Sequence, residues 1–343
     1  MRVVFGAGAR AELHGEIERL GARRVLVLCT PARRDLAGSV ASVLGAKIAD
    51  TFAGAVMHVP VEVADAARRV AADAGADCCL GIGGGSTIGL AKAVALTTGL
   101  PVVAVPTTYA GSEMTPIYGL TEGRRKATGR DERVLPRTVI YDPELTIELP
   151  AATSVASGFN AIAHAVEALY APDRNPIAEL MAEESIAALA RALPQIARNP
   201  RDLEVRGEAL YGAWLAGSVL GITSMGLHHK LCHALGGAFD LPHAQTHAVM
   251  LPYVAAYNAC AAAPAMARVA RALGASDAPE GLFDLGRAIG TPRSLAELGL
   301  RATDLDHAAE LAAANPYGNP RPVERAAVRL LLQSAFDGRR PSS

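Results

Sequence analysis

The sequence predicts an α/β amino-terminal domain built on a parallel sheet over residues 1–150, followed by an all-helical carboxy-terminal domain over residues 151–343. Before Pro150, short β-branched runs alternate with helical patterns, which is typical of a parallel sheet covered by helices. After Pro150, strand-like runs almost vanish and long Ala/Leu/Glu/Arg stretches with helical periodicity take over. The length of 343 residues is about twice the ~150 residues expected of one domain, which favours two domains.

The individual elements follow from the spacing of apolar residues. Strands are predicted over residues 24–29, 47–52, 77–82, 101–105 and 138–141. Helices are predicted over residues 60–74 and 87–98, and beyond the junction over 154–171, 177–197 and 204–220. Pro143 and Pro150 bracket that junction, because proline favours extended or turn backbone.

Charge and hydropathy restrict the partners of this protein. The 33 basic and 34 acidic residues nearly cancel, so no broad field attracts nucleic acid or an anionic membrane surface. No apolar run reaches the ~18 residues of a membrane span. We therefore expect a cytoplasmic protein without nucleic-acid or membrane partners, and we expect any anion to be bound at a local site.

A glycine turn follows the strand predicted over residues 77–82. Gly83, Gly84, Gly85 and Ser86 lie between this strand and a helical pattern that begins at Thr87. Glycines let backbone amides approach a ligand closely, and the start of a helix adds partial positive charge. This combination suits a pyrophosphate, so we predict a Rossmann-like dinucleotide-binding domain in which these four residues bind the cofactor, although glycine runs also simply make tight turns.

Two further segments are predicted at the same edge of the sheet, where the carboxyl ends of parallel strands collect ligands. One is a polar loop that follows the strand over residues 101–105 and contributes Thr107, Thr108 and Ser112. From sequence alone, a capped surface turn explains this loop equally well. The other is Thr30, at a position where an acidic residue often contacts the adenosine ribose. Without a carboxylate there to repel a 2′-phosphate, NADPH is admissible as well as NADH.

Histidines are concentrated in the second half of the chain. Five of the nine lie within 20 residues, and the sixth follows Asn160 by four residues and so shares its helical face. So many imidazoles are not easily explained by packing alone, and they predict a functional pocket. The six are His164, His228, His229, His233, His243 and His247.

A divalent metal is the obvious first ligand for such a group, because three imidazoles and one carboxylate make a good site. Asn160 stands where a carboxylate would complete the set, and its amide brings no negative charge. Sites built from imidazoles alone exist, so metal binding stays open, but we expect none. The alternative is that the imidazoles donate hydrogen bonds to an anionic substrate and to an oxyanion that develops during reaction.

Together these residues resemble the iron-containing alcohol dehydrogenase family over nearly the whole chain. Metal-dependent members carry aspartate at the positions of Gly89 and Asn160, and this sequence lacks both. It is instead similar to the maleylacetate reductase branch. The motifs that carry the resemblance lie at residues 83–92, 106–116, 128–130, 134–145, 160–164, 229–237, 242–243 and 319–321.

The resemblance implies an enzyme that uses NADH or NADPH without a metal in bacterial degradation of aromatic compounds. It also implies an amino-terminal dinucleotide-binding domain, an all-helical domain, substrate bound in the cleft and commonly a homodimer. The expected reaction reduces the carbon–carbon double bond of maleylacetate, an unsaturated keto diacid, or of a substituted analogue. With maleylacetate the product is 3-oxoadipate.

We predict the following roles. His243 or His229 stabilises the enolate oxygen, while His164 and His233 line the pocket. Cations are needed for the two substrate carboxylates, although Lys230 could equally face solvent. Lys126 resembles the family position near the nicotinamide ribose. The predicted substrate-binding residues are Asn160, Lys230, Arg130 and Tyr109.

Two alternatives remain at this level. One is a metal-dependent alcohol dehydrogenase that uses iron or zinc in a weakened site. The other is a non-catalytic NAD(P)-binding module whose histidines merely stabilise contacts between helices. Metal analysis with chelation separates the first from our prediction, and an assay of NAD(P)H oxidation separates the second.

Overall fold

The computed structural model describes residues 1–123 and 125–341, apart from the side chains of Arg125 and Lys126. The chain divides into two compact units, Met1–Leu149 and Pro150–Ser343. The first holds a parallel six-stranded sheet and the second is helical in its regular elements. The predicted α/β plus all-helical fold class is therefore confirmed.

The first unit is built on a sheet with the order β1-β8-β5-β4-β2-β3, in which all paired neighbours run parallel. The predicted strands appear with ends shifted by at most one residue. The sequence patterns missed β1 at the edge of the sheet, and also an antiparallel hairpin formed by β6 and β7. The strands are β1 Arg2–Phe5, β2 Val25–Leu28, β3 Ile48–Phe52, β4 Cys78–Gly83, β5 Val102–Pro106, β6 Ile117–Glu122, β7 Arg125–Arg130 and β8 Thr138–Tyr141.

Helices cover both faces of this sheet, which explains why its central strands read as continuous apolar runs. Val25 and Val27 of β2 belong to a core shared with α1 and α2. Leu26 belongs to a second core on the opposite face, shared with α3 and α4. Alternate residues of a strand point to opposite faces, so one strand supplies both cores. The helices are α1 Leu13–Arg19, α2 Arg34–Ala41, α3 Val61–Asp73 and α4 Gly85–Thr98.

The second unit consists of packed helices around an apolar core. The helices predicted over residues 154–171, 177–197 and 204–220 correspond to α5, α6 and α7. The helices are α5 Ala151–Ala168, α6 Pro176–Arg198, α7 Leu203–Ile222, α8 Leu227–Phe239, α9 His243–Asn258, α10 Ala263–Leu273, α11 Ala278–Ala288, α12 Leu305–Ala313 and α13 Arg325–Asp337. Among the described residues, no single helix has the length and apolarity to cross a membrane. Only α7 and α8 taken together reach such values, and they meet at a bend of 97°.

Candidate functional site

The predicted glycine turn joins β4 to α4 and has no room for a side chain at Gly83 or Gly84. Gly83 has φ +154°, and a Cβ there would lie 2.5 Å from Thr87 Oγ1. A Cβ on Gly84 would lie 2.9 Å from Thr108 Cγ2. The first hydrogen bonds of α4 run from the Thr87 and Ile88 amides to Gly84 O, so the Gly85 and Ser86 amides precede them. Such early amides can bind an anionic group.

The loop after β5 lies beside this turn. The Thr107 amide donates to Gly83 O at 3.0 Å, and Pro106 pairs with Gly83 in the sheet register. Thr108 is partly buried against Gly84, and Ser112 is partly buried further along the loop. The structure therefore brings Thr107 and Thr108 next to the glycine turn. Their contact with a cofactor stays a prediction.

Lys92 holds this loop from inside the unit. Its side chain is fully buried, and its ammonium donates to Thr115 O at 2.7 Å, to Thr115 Oγ1 at 2.9 Å and to Ile117 O at 2.9 Å, as well as to Ser112 O. Burial lowers the pKa of Lys92 to about 7, while the charge of Glu113 opposes this shift. Lys92 thus fixes the backbone between Ser112 and Ile117 by charge-assisted hydrogen bonds.

The remaining predicted residues of the first unit lie in different settings. Thr30 follows β2 at the same edge of the sheet as the glycine turn and is partly buried. Tyr109 is fully buried. Arg130 is exposed at the end of β7, opposite Ile117 of the hairpin. Lys126 lies in the same strand, but its side chain is outside the described part of the chain. The roles assigned to these residues stay predictions.

In the second unit, α5 and α8 bring a row of polar side chains together. Asn160, His164 and Glu167 lie on one face of α5, and His229 comes from the start of α8. Asn160 Nδ2 lies 3.3 Å from His164 Nε2, and His164 Nδ1 lies 2.8 Å from His229 Nε2. His229 Nδ1 lies 2.6 Å from Glu167 Oε2. We call Glu167, His229, His164 and Asn160 the inner line; all four are buried.

Glu167 anchors the inner line and also caps α8. Its carboxylate accepts the amides of Gly226 and His228 at 2.8 Å each, and also the Tyr170 hydroxyl. Burial alone would raise the pKa of Glu167, but the hydrogen bond from His229, together with that from the Gly226 amide, lowers it to about 2. Glu167 is therefore an ionised carboxylate that only accepts hydrogen bonds.

A second buried group lies beside the inner line. His228 Nε2 lies 2.9 Å from His247 Nδ1 and 3.7 Å from Cys232 Sγ, and we call these three residues the buried trio. Burial lowers the pKa of His228 to about 3 and that of His247 well below its usual range. Both imidazoles are therefore neutral at physiological pH.

The remaining polar residues form a more accessible group. His233 is exposed and His243 is partly exposed at the first turn of α9; their rings stack with centroids 6.1 Å apart. Tyr317 meets the His233 ring edge-on at 6.4 Å, and Lys230 Nζ lies 5.5 Å from the Tyr317 ring centroid. We call Lys230, His233, His243 and Tyr317 the outer cluster. Compared with the inner line and the buried trio, the outer cluster is the more accessible to an anion from solution.

The inner line does not fit a divalent metal. Its potential metal ligands are an uncharged amide and imidazoles, and His229 Nε2 already lies 2.8 Å from His164 Nδ1. The Glu167 carboxylate is already occupied by backbone amides and by His229 Nδ1. Losing even an indirect partner of a metal ligand costs ~10–100-fold in affinity, so a missing charged ligand should cost at least as much.

The buried trio brings three ligand atoms within 4.8 Å of one another, a spacing that a metal could bridge. Two features oppose this use. Burial raises the pKa of the Cys232 thiol well above its usual range, whereas a metal needs the thiolate. His228 Nδ1 and His247 Nε2 have no hydrogen-bond partner among the described residues, whereas metal-bound imidazoles normally donate their second N–H.

The sequence patterns missed three residues that organise these groups. Glu167 follows His164 by three positions, so the helical stripe 160, 164 and 167 was a usable signal. Lys92 lies in an otherwise apolar helix, and a single cation there indicates a buried lysine with hydrogen-bond acceptors around it. Tyr317 carried no local signal, since only the fold brings it to His233.

Family models match both parts of the chain. A model described as "Iron-containing alcohol dehydrogenase" matches residues 1–143. A model described as "Fe-containing alcohol dehydrogenase family, C-terminal" matches residues 154–336.

Individual relatives cover nearly the full length. A maleylacetate reductase of Burkholderia cepacia is 59% identical over 99% of this chain and 97% of its own length. The crystal structure of maleylacetate reductase from Rhizobium sp. strain MTP-10005 is 54% identical, with a TM-score of 0.96 over 99% of this chain and 97% of that one. An iron-containing alcohol dehydrogenase of Corynebacterium glutamicum is 48% identical, with a TM-score of 0.96 over 99% of this chain and 96% of that one.

Proposed function

The chain belongs to the iron-containing alcohol dehydrogenase family and is an oxidoreductase, and from this premise we propose that it reduces maleylacetate or a substituted analogue with NADH or NADPH and without a metal. With maleylacetate the product is 3-oxoadipate. The full-length relatives named maleylacetate reductase support the substrate class. Because the family consists of oxidoreductases, a non-catalytic NAD(P)-binding module is no longer a competing proposal.

One observation carries the metal-independent mechanism. Asn160, an uncharged amide, lies 3.3 Å from His164 where metal-dependent members of the family carry aspartate. The uncharged amide and imidazoles of the inner line suit an organic ligand better than a divalent cation. We therefore propose that side chains of this protein, and not a metal ion, stabilise the negative charge that develops during the reaction.

The chemistry divides between the cofactor and the protein. When bound, the reduced nicotinamide supplies a hydride to the alkene carbon β to the ketone. The alkene electrons move to the ketone oxygen as an enolate, and a proton then adds to the α carbon. The protein has to bind two carboxylates and stabilise the enolate oxygen, and one well-placed donor for an oxyanion is worth ~2.7–4 kcal/mol.

We assign the enolate donor to His243 rather than to His229. Both ring nitrogens of His229 are used within the inner line, at 2.6 Å to Glu167 and 2.8 Å to His164. His243 belongs to the outer cluster and is partly exposed. Lys230 of the same cluster is the proposed partner of a substrate carboxylate, with His233 beside it.

In the first unit, we propose that the amides of the glycine turn hold the cofactor pyrophosphate. Thr107 and Thr108 complete this cradle, and Thr30 lies where the adenosine ribose of either nicotinamide cofactor is expected. The absence of a carboxylate at Thr30 admits a 2′-phosphate. The preference between NADH and NADPH is decided by comparing the two kcat/KM values.

Steady-state rates with maleylacetate test the function, measured with each cofactor on protein of known metal content. We expect turnover in protein stripped of metal by chelation, at the same rate as before chelation. Stoichiometric iron or zinc with chelator-sensitive turnover would instead identify a metal-dependent alcohol dehydrogenase. Absence of NAD(P)H oxidation with any unsaturated keto diacid would refute the substrate class.

We also infer a homodimer, because that assembly is common in the family. Light scattering after size-exclusion chromatography should give twice the chain mass of 35.5 kDa. The cytoplasmic location and the role in degradation of aromatic compounds stay predictions that follow from the same proposal.

A further inference from the structure

We propose that Glu167 is a positioning residue that fixes the tautomers of His229 and His164, and thereby gives the inner line one direction of hydrogen bonding. The expected effect on turnover rests on the proposed function. The direction of hydrogen bonding does not, because it follows from the contacts alone. The carboxylate can only accept, so the short 2.6 Å contact makes His229 Nδ1 a donor.

The direction then passes along the line. A neutral His229 with its proton on Nδ1 has a lone pair on Nε2, so His164 Nδ1 must donate across the 2.8 Å contact. A neutral His164 with its proton on Nδ1 has a lone pair on Nε2, which accepts from Asn160 Nδ2 at 3.3 Å. Each contact therefore has a defined donor, and the N–H groups all point toward Glu167.

The far end of the line is set as a result. Once Asn160 Nδ2 donates to His164, Asn160 Oδ1 faces away from the line as a hydrogen-bond acceptor. This oxygen is buried and has no hydrogen-bond partner among the residues that the structure describes. Leaving a buried polar atom unpaired costs ~1–3 kcal/mol, which favours a water molecule or a ligand O–H or N–H there. The carboxylates and ketone of maleylacetate supply no such hydrogen, so they are not expected against this oxygen.

Glutamine cannot replace Glu167 in this role. Glu167 Oε1 accepts the His228 amide and the Tyr170 hydroxyl, while Oε2 accepts the Gly226 amide and His229 Nδ1. A glutamine NH₂ would face donors on whichever side it was placed. If it faced His229, the imidazole would have to move its proton to Nε2, and the whole line would reverse.

Nitrogen NMR of ¹⁵N-histidine-labelled protein tests the tautomers directly, with signals assigned through single His→Gln variants. In the unmodified protein we expect pyrrole-type Nδ1 and pyridine-type Nε2 signals for both His229 and His164. A pyrrole-type Nε2 signal on His229 would overturn the proposal without any variant. Because no substrate is needed, this result is independent of whether maleylacetate is reduced.

Three variants separate positioning from mere support of α8. Glu167→Gln should move the His229 proton or leave it exchanging. It should lower kcat by about 10²-fold or more, because a reversed line turns the Asn160 amide around, and a wrong histidine tautomer has cost up to ~10⁴-fold elsewhere. The Kd for NADH should stay within twofold. Glu167→Asp, which keeps an acceptor-only group, should restore the tautomers and most of kcat.

Tyr170→Phe is the matched control, because it removes one donor to the same carboxylate and leaves the inner line intact. Its tautomers and kcat should match the unmodified protein. If Glu167→Gln kept the Nδ1 proton on His229 and full kcat, the proposal would be wrong. An equal loss of kcat in the Gln and Asp variants, with tautomers unchanged, would show that Glu167 acts only by supporting the helix.

Discussion

At position 160, an amide stands where the family resemblance implies a carboxylate in metal-dependent members, and we expect it to change what the neighbouring imidazoles can do. Its Nδ2 donates to His164, and its oxygen is left for a ligand. An aspartate in the same place could not donate to His164, and it would add the negative charge that a divalent cation needs. We therefore expect residue 160 to select between two chemistries on one set of histidines.

Asn160→Asp should reverse this selection. We expect the affinity for Zn²⁺ to rise by at least ~10-fold, because a charged ligand joins the imidazoles. Maleylacetate turnover should fall, because the inner line loses its donor to His164. Titration calorimetry with Zn²⁺ measures the first effect. Asn199→Asp, which adds a carboxylate at an exposed position, controls for net charge, and equal Zn²⁺ affinity in both variants would contradict the prediction.

His243→Ala should lower kcat by about 10²-fold or more while leaving the Kd for NADH unchanged, because it removes one hydrogen-bond donor to the enolate. Stopped-flow reduction of maleylacetate and a separate NADH titration measure the two quantities. His307→Ala removes an exposed imidazole on α12 of the same unit and should have no effect. An unchanged kcat in the His243 variant would remove His243 from the mechanism.

Individual residues could be predicted where their chemistry repeats at a fixed spacing. The four-residue step from Asn160 to His164 identified one helical face before the structure was known. Glu167 was missed, although it lies three residues further on the same face, because a lone acidic residue in a helix usually faces solvent. The contact between His164 and His229 joins residues 65 positions apart, and no local pattern encodes it.

Among the elements, the turn between β4 and α4 owes its shape to glycine. Gly84→Ala would place a Cβ 2.9 Å from Thr108 Cγ2, so either the Thr108 side chain or the turn would have to shift. Such crowding costs ~1–3 kcal/mol. We expect the Kd for NADH to rise by about tenfold or more, measured by fluorescence titration.

Gly38→Ala in α2 is the control for this experiment. A Cβ on Gly38 would meet no heavy atom within 4 Å, so cofactor affinity should be unchanged. Equal affinity in the Gly84 and Gly38 variants would argue against a cofactor at the glycine turn.

The hairpin of β6 and β7 marks the limit of element prediction. The central strands were recognisable because burial on both faces makes them continuous apolar runs. The hairpin is partly buried along β6 and largely polar, and Lys92 ties β6 to the body of the unit through Ile117 O. Neither the partial burial of the hairpin nor the contact with Lys92 produces an alternating apolar pattern by which a strand could be recognised in the sequence.

At the scale of the whole molecule, the change from short β-branched runs to long helical stretches predicted the fold class. The spacing of apolar residues differs between the two architectures. Buried parallel strands give short continuous apolar runs, whereas amphipathic helices repeat apolar residues every three to four positions. The strand order β1-β8-β5-β4-β2-β3 could not be predicted in the same way, because the pairing of β1 with β8 depends on contacts across more than 130 residues.

The stability of the fold should depend on Glu167 in acid. Its pKa is about 2 in the native protein, against an ordinary value of 4.5, so the unfolded chain binds the proton first. The contribution of the ionised group is complete above pH 4.5 and is lost as the pH falls through about 2. Linkage makes this contribution about 3 kcal/mol.

Urea unfolding from pH 6 to pH 2 measures this contribution. The difference in unfolding free energy between the unmodified protein and Glu167→Gln should shrink below pH 4.5. The exposed Glu12→Gln is the matched control for removing one carboxylate, and the pH dependence of Glu167→Gln is judged against it. Parallel curves for both variants would mean that Glu167 is not a strongly ionised group.

An inhibitor aimed at the inner line would have to supply hydrogen atoms as well as negative charge. The Asn160 oxygen lies away from water and can only accept, so a carboxylate placed against it would be repelled. A hydroxy acid or hydroxamate of the same shape would donate a hydrogen bond to this oxygen and should therefore bind more tightly than the carboxylate. Selectivity over metal-dependent relatives would then come from this O–H group.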